Sequence, residues 1–273
     1  MRSFCQLLSV PVFFSWMISS AWSGDNPAQE QNSAYNPDAW KITLKANLGA
    51  SSKWNGSDSL SFSGYPSISF RRPWAPEVWE SPDDSIGFSL FEYSGFSAGL
   101  SAAYRGGRDS DDEAALAGIH KTRWTIEGGF FAQYWAIPDL LRARMEVRRG
   151  FRNEDGFIAD LGLDFVQNYS NLTLAVGPRL TLADSRFMRY HFGVSEQDAL
   201  NSSLASYKPS GGFHSAGIFA SADYKFDEKW TFGIHGGWDR LLEDAADSPV
   251  IKQAGSRDQF KFGATVKYTF DWE

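Results

Sequence analysis

From Gln259 to Phe270 apolar and polar residues alternate without a break. Phe260, Phe262, Ala264, Val266, Tyr268 and Phe270 fall on one face, and Lys261, Gly263, Thr265, Lys267 and Thr269 on the other. A period of two belongs to a strand, because successive side chains point to opposite sides of a sheet. The run is about the ~9–11 residues that a tilted strand needs to cross a bilayer, and it carries an aromatic at each end of its apolar face. Similar alternation predicts further strands at Trp40–Ala50, Tyr65–Arg71, Ile86–Glu92, Phe96–Tyr104, Trp124–Ile137, Leu140–Gly150, Phe157–Val166, Leu172–Leu182, Phe187–Val194, Phe213–Phe226 and Trp230–Leu241. With the last one these make about 12 strands, or 10 if Phe187–Val194 and one weak early strand are loop. The expected fold is all-β: an antiparallel transmembrane β-barrel over residues 39–273 with a small filled lumen. Its last strand would pair with its first, since an open edge in lipid leaves backbone groups unpaired. Twelve strands bring one conflict: they put the long segment Arg105–Lys121 at the end that holds the termini, where short turns are the rule.

Composition narrows the class. Mean hydropathy is only -0.35, yet 16% of the 273 residues are aromatic, as expected where one face of each strand is apolar. Beyond the N-terminal stretch no apolar run approaches the ~18 residues of a membrane-spanning helix. Residues 1–23 read as a signal peptide: Arg2, a mostly apolar run from Leu7 to Ile18, and the small-x-small site Ala21-Trp22-Ser23. Residues 24–38, polar with two Asn-Pro pairs, read as a periplasmic tail. Cleavage would remove Cys5, the single cysteine, and take the formal charge from -7 to -8, because Arg2 leaves and no acid does. A chain this acidic is not expected to bind nucleic acid.

Candidate chemistry lies on the polar faces. Along Leu140–Gly150 the alternation turns Arg142, Arg144, Glu146 and Arg148 inward, with Glu127 on one neighbouring strand and Asp160 and Asp164 on the other. Opposite charges on adjacent strands pair across the ladder. These seven residues predict a salt network in the lumen or, alternatively, an arginine-lined constriction of a small porin-like channel. Gly95-Phe96-Ser97-Ala98-Gly99 has the spacing of a serine-hydrolase elbow but begins a strand with no helix behind it. The four histidines lack metal-ligand spacing, and the acidic run from Asp109 to Glu113 lacks the glycine and spaced carboxylates of a calcium loop. No catalytic, metal or cofactor site is expected. Trp124, Trp230, Trp238 and Trp272 lie near strand ends, as interfacial girdles require. Trp74 and Trp79, in a proline-rich loop, are candidates for anchoring a partner.

Three stretches, Val176–Ser195, Ser203–Gly212 and Asp239–Phe260, closely resemble the MipA/OmpV family, with weaker similarity through Gly64–Pro73, Tyr104–Glu113, Gly129–Trp135 and Gly156–Phe165. Arg240, Leu241, Asp244, Asp247, Ser248 and Pro249 match the most recognisable motif, which serves either a partner or the folding of a loop. The chain departs from the usual ending on an aromatic by adding Asp271-Trp272-Glu273. The resemblance implies an outer-membrane protein that is not an enzyme, a scaffold linking a lytic transglycosylase to a penicillin-binding protein. Roles in adhesion or stress response are the family's other associations.

Overall fold

The computed structural model describes residues 40–71, 77–109, 114–152 and 154–272. They hold eleven strands: β1 (Trp40–Ser52), β2 (Leu60–Arg71), β3 (Ile86–Tyr93), β4 (Phe96–Arg105), β5 (Thr125–Ile137), β6 (Leu141–Gly150), β7 (Phe157–Tyr169), β8 (Leu172–Ala183), β9 (Gly212–Lys225), β10 (Trp230–Leu241) and β11 (Asp258–Trp272). All pair antiparallel in one curled sheet, ordered β2-β1-β11-β10-β9-β8-β7-β6-β5-β4-β3. β1 lies against β11 with Trp40 opposite Trp272. The expected pairing of the first strand with the last is thus present, and the last strand runs two residues past Phe270.

Alternation decides which face is which. Leu48, Phe62, Phe130 and Ile234 are exposed on the outer face, at 68%, 83%, 66% and 66%, an apolar surface that suits lipid. Aromatic rings gather at both ends of the sheet: Trp230 lies 4.7 Å from Tyr268 at one, and Tyr104 stacks on Trp124 at the other. The inner face holds the buried polar groups, Asn47, Glu127, Arg142, Glu146, Arg148, Asp164 and Thr265 among them.

The two ends differ. Where β1 begins and β11 ends, the connections are tight, and Ser94, Asp139 and Ser170 take φ of 47°, 57° and 48°, the left-handed backbone that short hairpin turns demand. At the opposite end four short helices form a cap: α1 (Ser185–Phe192), α2 (Glu196–Asn201), α3 (Glu243–Asp247) and α4 (Pro249–Ala254). Phe187, Met188 and Phe192 of α1 pack with Val250 and Ile251 of α4, and with Trp54, Leu116, Leu204 and Leu241, in one apolar core.

Phe187–Val194, expected as a strand, is therefore the helix α1 followed by an isolated bridge from Val194 to Tyr207. Asp184 caps it, accepting from the Phe187 amide at 2.7 Å, and the i, i+4 pairs Phe187/His191 and Met188/Phe192 make its buried face. The segment after Arg105 then falls at the capped end, away from the termini, which removes the conflict that twelve strands create.

An odd number of strands leaves one crossing to explain. β2 ends at the short-turn end and β3 begins at the capped end, so the chain must return between them. It does so through the lumen: residues 79–85 run along the inner wall, held by side chains of β6, β8 and β11.

Candidate functional site in the lumen

The lumen-crossing segment brings three consecutive polar groups to the inward side chains of the wall. Asp84 accepts from Arg142 of β6 through both oxygens, at 2.6 and 3.0 Å. Asp83 accepts from Arg179 of β8 at 3.0 Å through each oxygen and pairs with Lys261 of β11 at 3.3 Å. Ser85 donates to Glu146. Proline at position 82 and the bonds from Ser81 to Asp84 (3.0 Å) and Asp83 (2.6 Å) pre-form the turn that presents the two carboxylates.

The wall completes an alternating chain of charge. Asp164 of β7 accepts from Arg142 at 2.8 Å and from Arg179 at 2.7 Å, so the signs run Asp84, Arg142, Asp164, Arg179, Asp83, Lys261, and on to Asp239 at 3.3 Å. Arg142 is wholly buried, with the Trp79 ring 4.8 Å from its guanidinium carbon. A second group lies nearer the cap: Glu127 takes Arg105 and Arg148, and Arg148 also reaches Glu146 and Asp160, the latter at 2.5 Å. Arg144 joins the two through Glu146 at 2.7 Å and Asp84 at 3.5 Å. Fork-shaped guanidinium groups meeting carboxylates through two bonds each are the strongest pairings available to side chains.

The seven lumen residues singled out by alternation thus sit together on the inner face. Asp83, Asp84, Arg105, Arg179 and Lys261 belong to the same network and were not among them. Arg179 and Lys261 had a legible signal, inward parity on strongly alternating strands; the two aspartates had none, because a Pro-Asp-Asp-Ser stretch reads as a solvated turn. Trp74 lies outside the described residues. Trp79, a candidate for anchoring a partner, turns into the lumen against Arg142 and Trp135, its ring 6.5 Å from the latter's. Ser97 sits within β4 with inward parity, not on a strand-to-helix turn.

The residues of the family-like motif build the cap. Leu241 is buried, Asp244 accepts from the Ser210 amide at 2.6 Å, and Asp247 pairs with Lys252 and Arg257, each at 3.1 Å. Arg240 reaches Asp258 at 3.0 Å. Ser248, fully buried, donates to the Phe192 carbonyl at 2.6 Å and accepts from the Val250 amide, with Pro249 as first residue of α4. Replacing Ser248 by alanine is expected to lower stability by about 1–2 kcal/mol, since it removes both a helix cap and the partner of a buried carbonyl. Urea unfolding of the protein in micelles measures it, and an unchanged midpoint would dismiss the capping role.

His191 of α1 lies under the same core. Burial, then the nearby charges of Arg105 and Arg108, hold its imidazole well below the usual histidine range. The unfolded chain takes up this proton near pH 6.5 and the folded cap does not, so the stability is fully present above ~6.5 and declines as pH falls below it. The slope is up to ~1.4 kcal/mol per pH unit. The protection factors of the α1 amides, exchange rates corrected for their intrinsic pH dependence, are expected to fall between pH 7.5 and 5.5 (roughly the range in which histidine titrates), and His191→Gln to reduce that dependence.

A family model described as "MltA-interacting protein MipA" matches residues 44–270. The putative outer membrane protein YiaT of Escherichia coli K12 is 26% identical over 164 residues, covering 60% of this chain and 58% of the relative. Outer membrane protein OmpV of Vibrio cholerae is 24% identical over 170 residues, 59% of this chain and 61% of the relative. The chain thus spans about three fifths of the length of the curated relatives it matches. Among solved structures, an outer membrane channel from Pseudomonas putida F1 superposes at a TM-score of 0.41 with 10% identity, over 87% of this chain and 97% of that one.

Proposed function

The chain belongs to the MltA-interacting protein MipA family and is an outer membrane protein, and from that premise we propose that it is a non-catalytic scaffold for peptidoglycan-remodelling enzymes. The observation that carries this reading is the state of Arg142, which is wholly buried between Asp84 of the lumen-crossing segment and Asp164 of the wall. A conducting pore needs its lining cations in open water; here the protein's own chain occupies that place. With the interior filled, the rims are what remains for other proteins to touch.

Barrels of this kind keep short turns on the periplasmic side and long connections outside. On that rule the cap faces away from the cell, and the short turns at Ser94, Asp139, Ser170 and Asp227 face the peptidoglycan. The family description names an interaction with MltA, and the resemblance drawn from the sequence implies a lytic transglycosylase and a penicillin-binding protein as partners. The short-turn rim is the surface we assign to them, while the motif around Ser248 serves the cap.

Photo-crosslinkers placed at Asp139 and Asp227, with Ser256 at the capped end as control, test this in intact envelopes. Transglycosylase or penicillin-binding protein captured from the two turn positions and not from Ser256, together with a silent protein in planar bilayers, is the expected result. Steady ion-selective openings of the unaltered protein, or capture from Ser256 alone, would overturn it.

A further inference from the structure

Charge is matched closely through most of the lumen, and the wall between β11 and β2 is the exception. Lys45 of β1 and Lys267 of β11 stand directly opposite each other in the ladder, on the inner face. Like charges so placed repel across about 5 Å. Lys267 has one carboxylate in range, Asp223 at 3.6 Å. Among the described residues no carboxylate comes within ion-pair distance of Lys45, which is half-buried; Glu80, Asp223 and Asp84 act on it from farther off, whereas Lys261 on the same wall holds two in contact.

Small hydroxyl and amide groups surround the pair. Ser67 of β2 is level with Lys45, and Thr43, Ser69 and Thr269 form the next inward row, Thr43 and Thr269 bonded to each other at 2.8 Å. On the other side Asn47 takes the Thr265 hydroxyl at 3.1 Å. Two ammonium groups flanked by hydroxyls supply what a tetrahedral or planar anion needs, and an anion would relieve their repulsion.

There is also a way in. β2 and β3 are the two ends of the sheet and no ladder joins them among the described residues. β2 is exposed from Leu60 to Pro66, and β3 from Ser89 to Tyr93. β1 is one strand spacing, roughly 5 Å, behind the free edge of β2. We propose that Lys45 and Lys267, with Ser67 and the adjoining threonines, form a binding site for a phosphate or carboxylate group, reached sideways between β2 and β3.

The full chain folded in neutral-detergent micelles is titrated with inorganic phosphate by calorimetry. In a second arm it is folded into vesicles of phosphatidylethanolamine and phosphatidylglycerol, and the anionic lipid that it retains on extraction is measured. Wild type is expected to bind at least one probe, and Lys45→Gln or Lys267→Gln to weaken that binding about tenfold or more. The probe-free melting point of Lys45→Gln stays level or rises, because a like-charge contact is gone, whereas that of Lys267→Gln falls because the buried Asp223 loses its ion-pair partner. Binding of phosphate alone assigns the site to a free anion; binding of lipid alone assigns it to a headgroup entering through the seam. If neither probe binds wild type, or the variants bind as wild type does, the site does not exist. Should Lys45→Gln fail to fold, Lys267→Gln decides by the same measure.

Discussion

Arg142→Ala is expected to lower the unfolding free energy by about 3–5 kcal/mol, because it removes four charge-assisted bonds of a wholly buried guanidinium and leaves Asp84 with only Arg144 at 3.5 Å and Asp164 with only Arg179. The comparison that makes this informative is Arg144→Leu. Arg144 also sits in the network, but Glu146 keeps Arg148 and Asp84 keeps Arg142 when it is lost. Its removal strands no carboxylate, and a loss of about 1–2 kcal/mol is expected. Urea titration of the protein in micelles, followed by tryptophan fluorescence, reads both. Equal and small losses at the two positions would mean that water reaches the lumen freely and that the alternating chain of charge contributes little.

Asp83→Ser combined with Asp84→Ser is expected to turn a silent barrel into one that conducts. The two carboxylates are the lumen segment's main ties to Arg142, Arg179 and Lys261; without them the segment keeps its serine contacts to Glu146 and Arg179, and three wall cations each lose one carboxylate. Planar-bilayer recordings of the double variant should show stepwise openings that favour anions, against none for the wild type. A double variant as silent as its parent would mean that packing, with Trp79 against Arg142 and Trp135, holds the segment without its charges.

Much of the wall was legible in advance because burial on one face imposes a period of two. The row Arg142, Arg144, Glu146, Arg148 has its partners on adjacent strands, where parity alone puts them on the same face. The helix α1 was not legible in the same way. Over Phe187–Val194 apolar residues are dense enough to satisfy either period, and what selects the helix is tertiary: the Asp184 cap and a core that only the folded loops assemble. The lumen segment was hidden for a different reason. Its Ser81, Asp83, Asp84 and Ser85 carry turn chemistry, and nothing local distinguishes a turn in water from one enclosed by arginines 58 to 98 residues away in sequence. The residue types of the family-like motif suit either a partner surface or the folding of a loop, and its bonds to Ser210, Phe192 and Arg257 are those of a loop being folded.

The pairing order also sets an order of assembly. Strands from β3 onward each pair with a chain neighbour, so that part of the sheet grows by local hairpins, whose closure is fast. β1 and β2 reach it only through β11, with Trp40 against Trp272, a contact spanning nearly the whole chain and carrying its loop-closure entropy. The first hairpin to leave the ribosome is therefore the last to join. Until β11 is in place, the returning segment with Asp83 and Asp84 can settle against β6 and β8 from an open side. Its ties to Arg142 of β6 and Arg179 of β8 need neither β1 nor β2 in place.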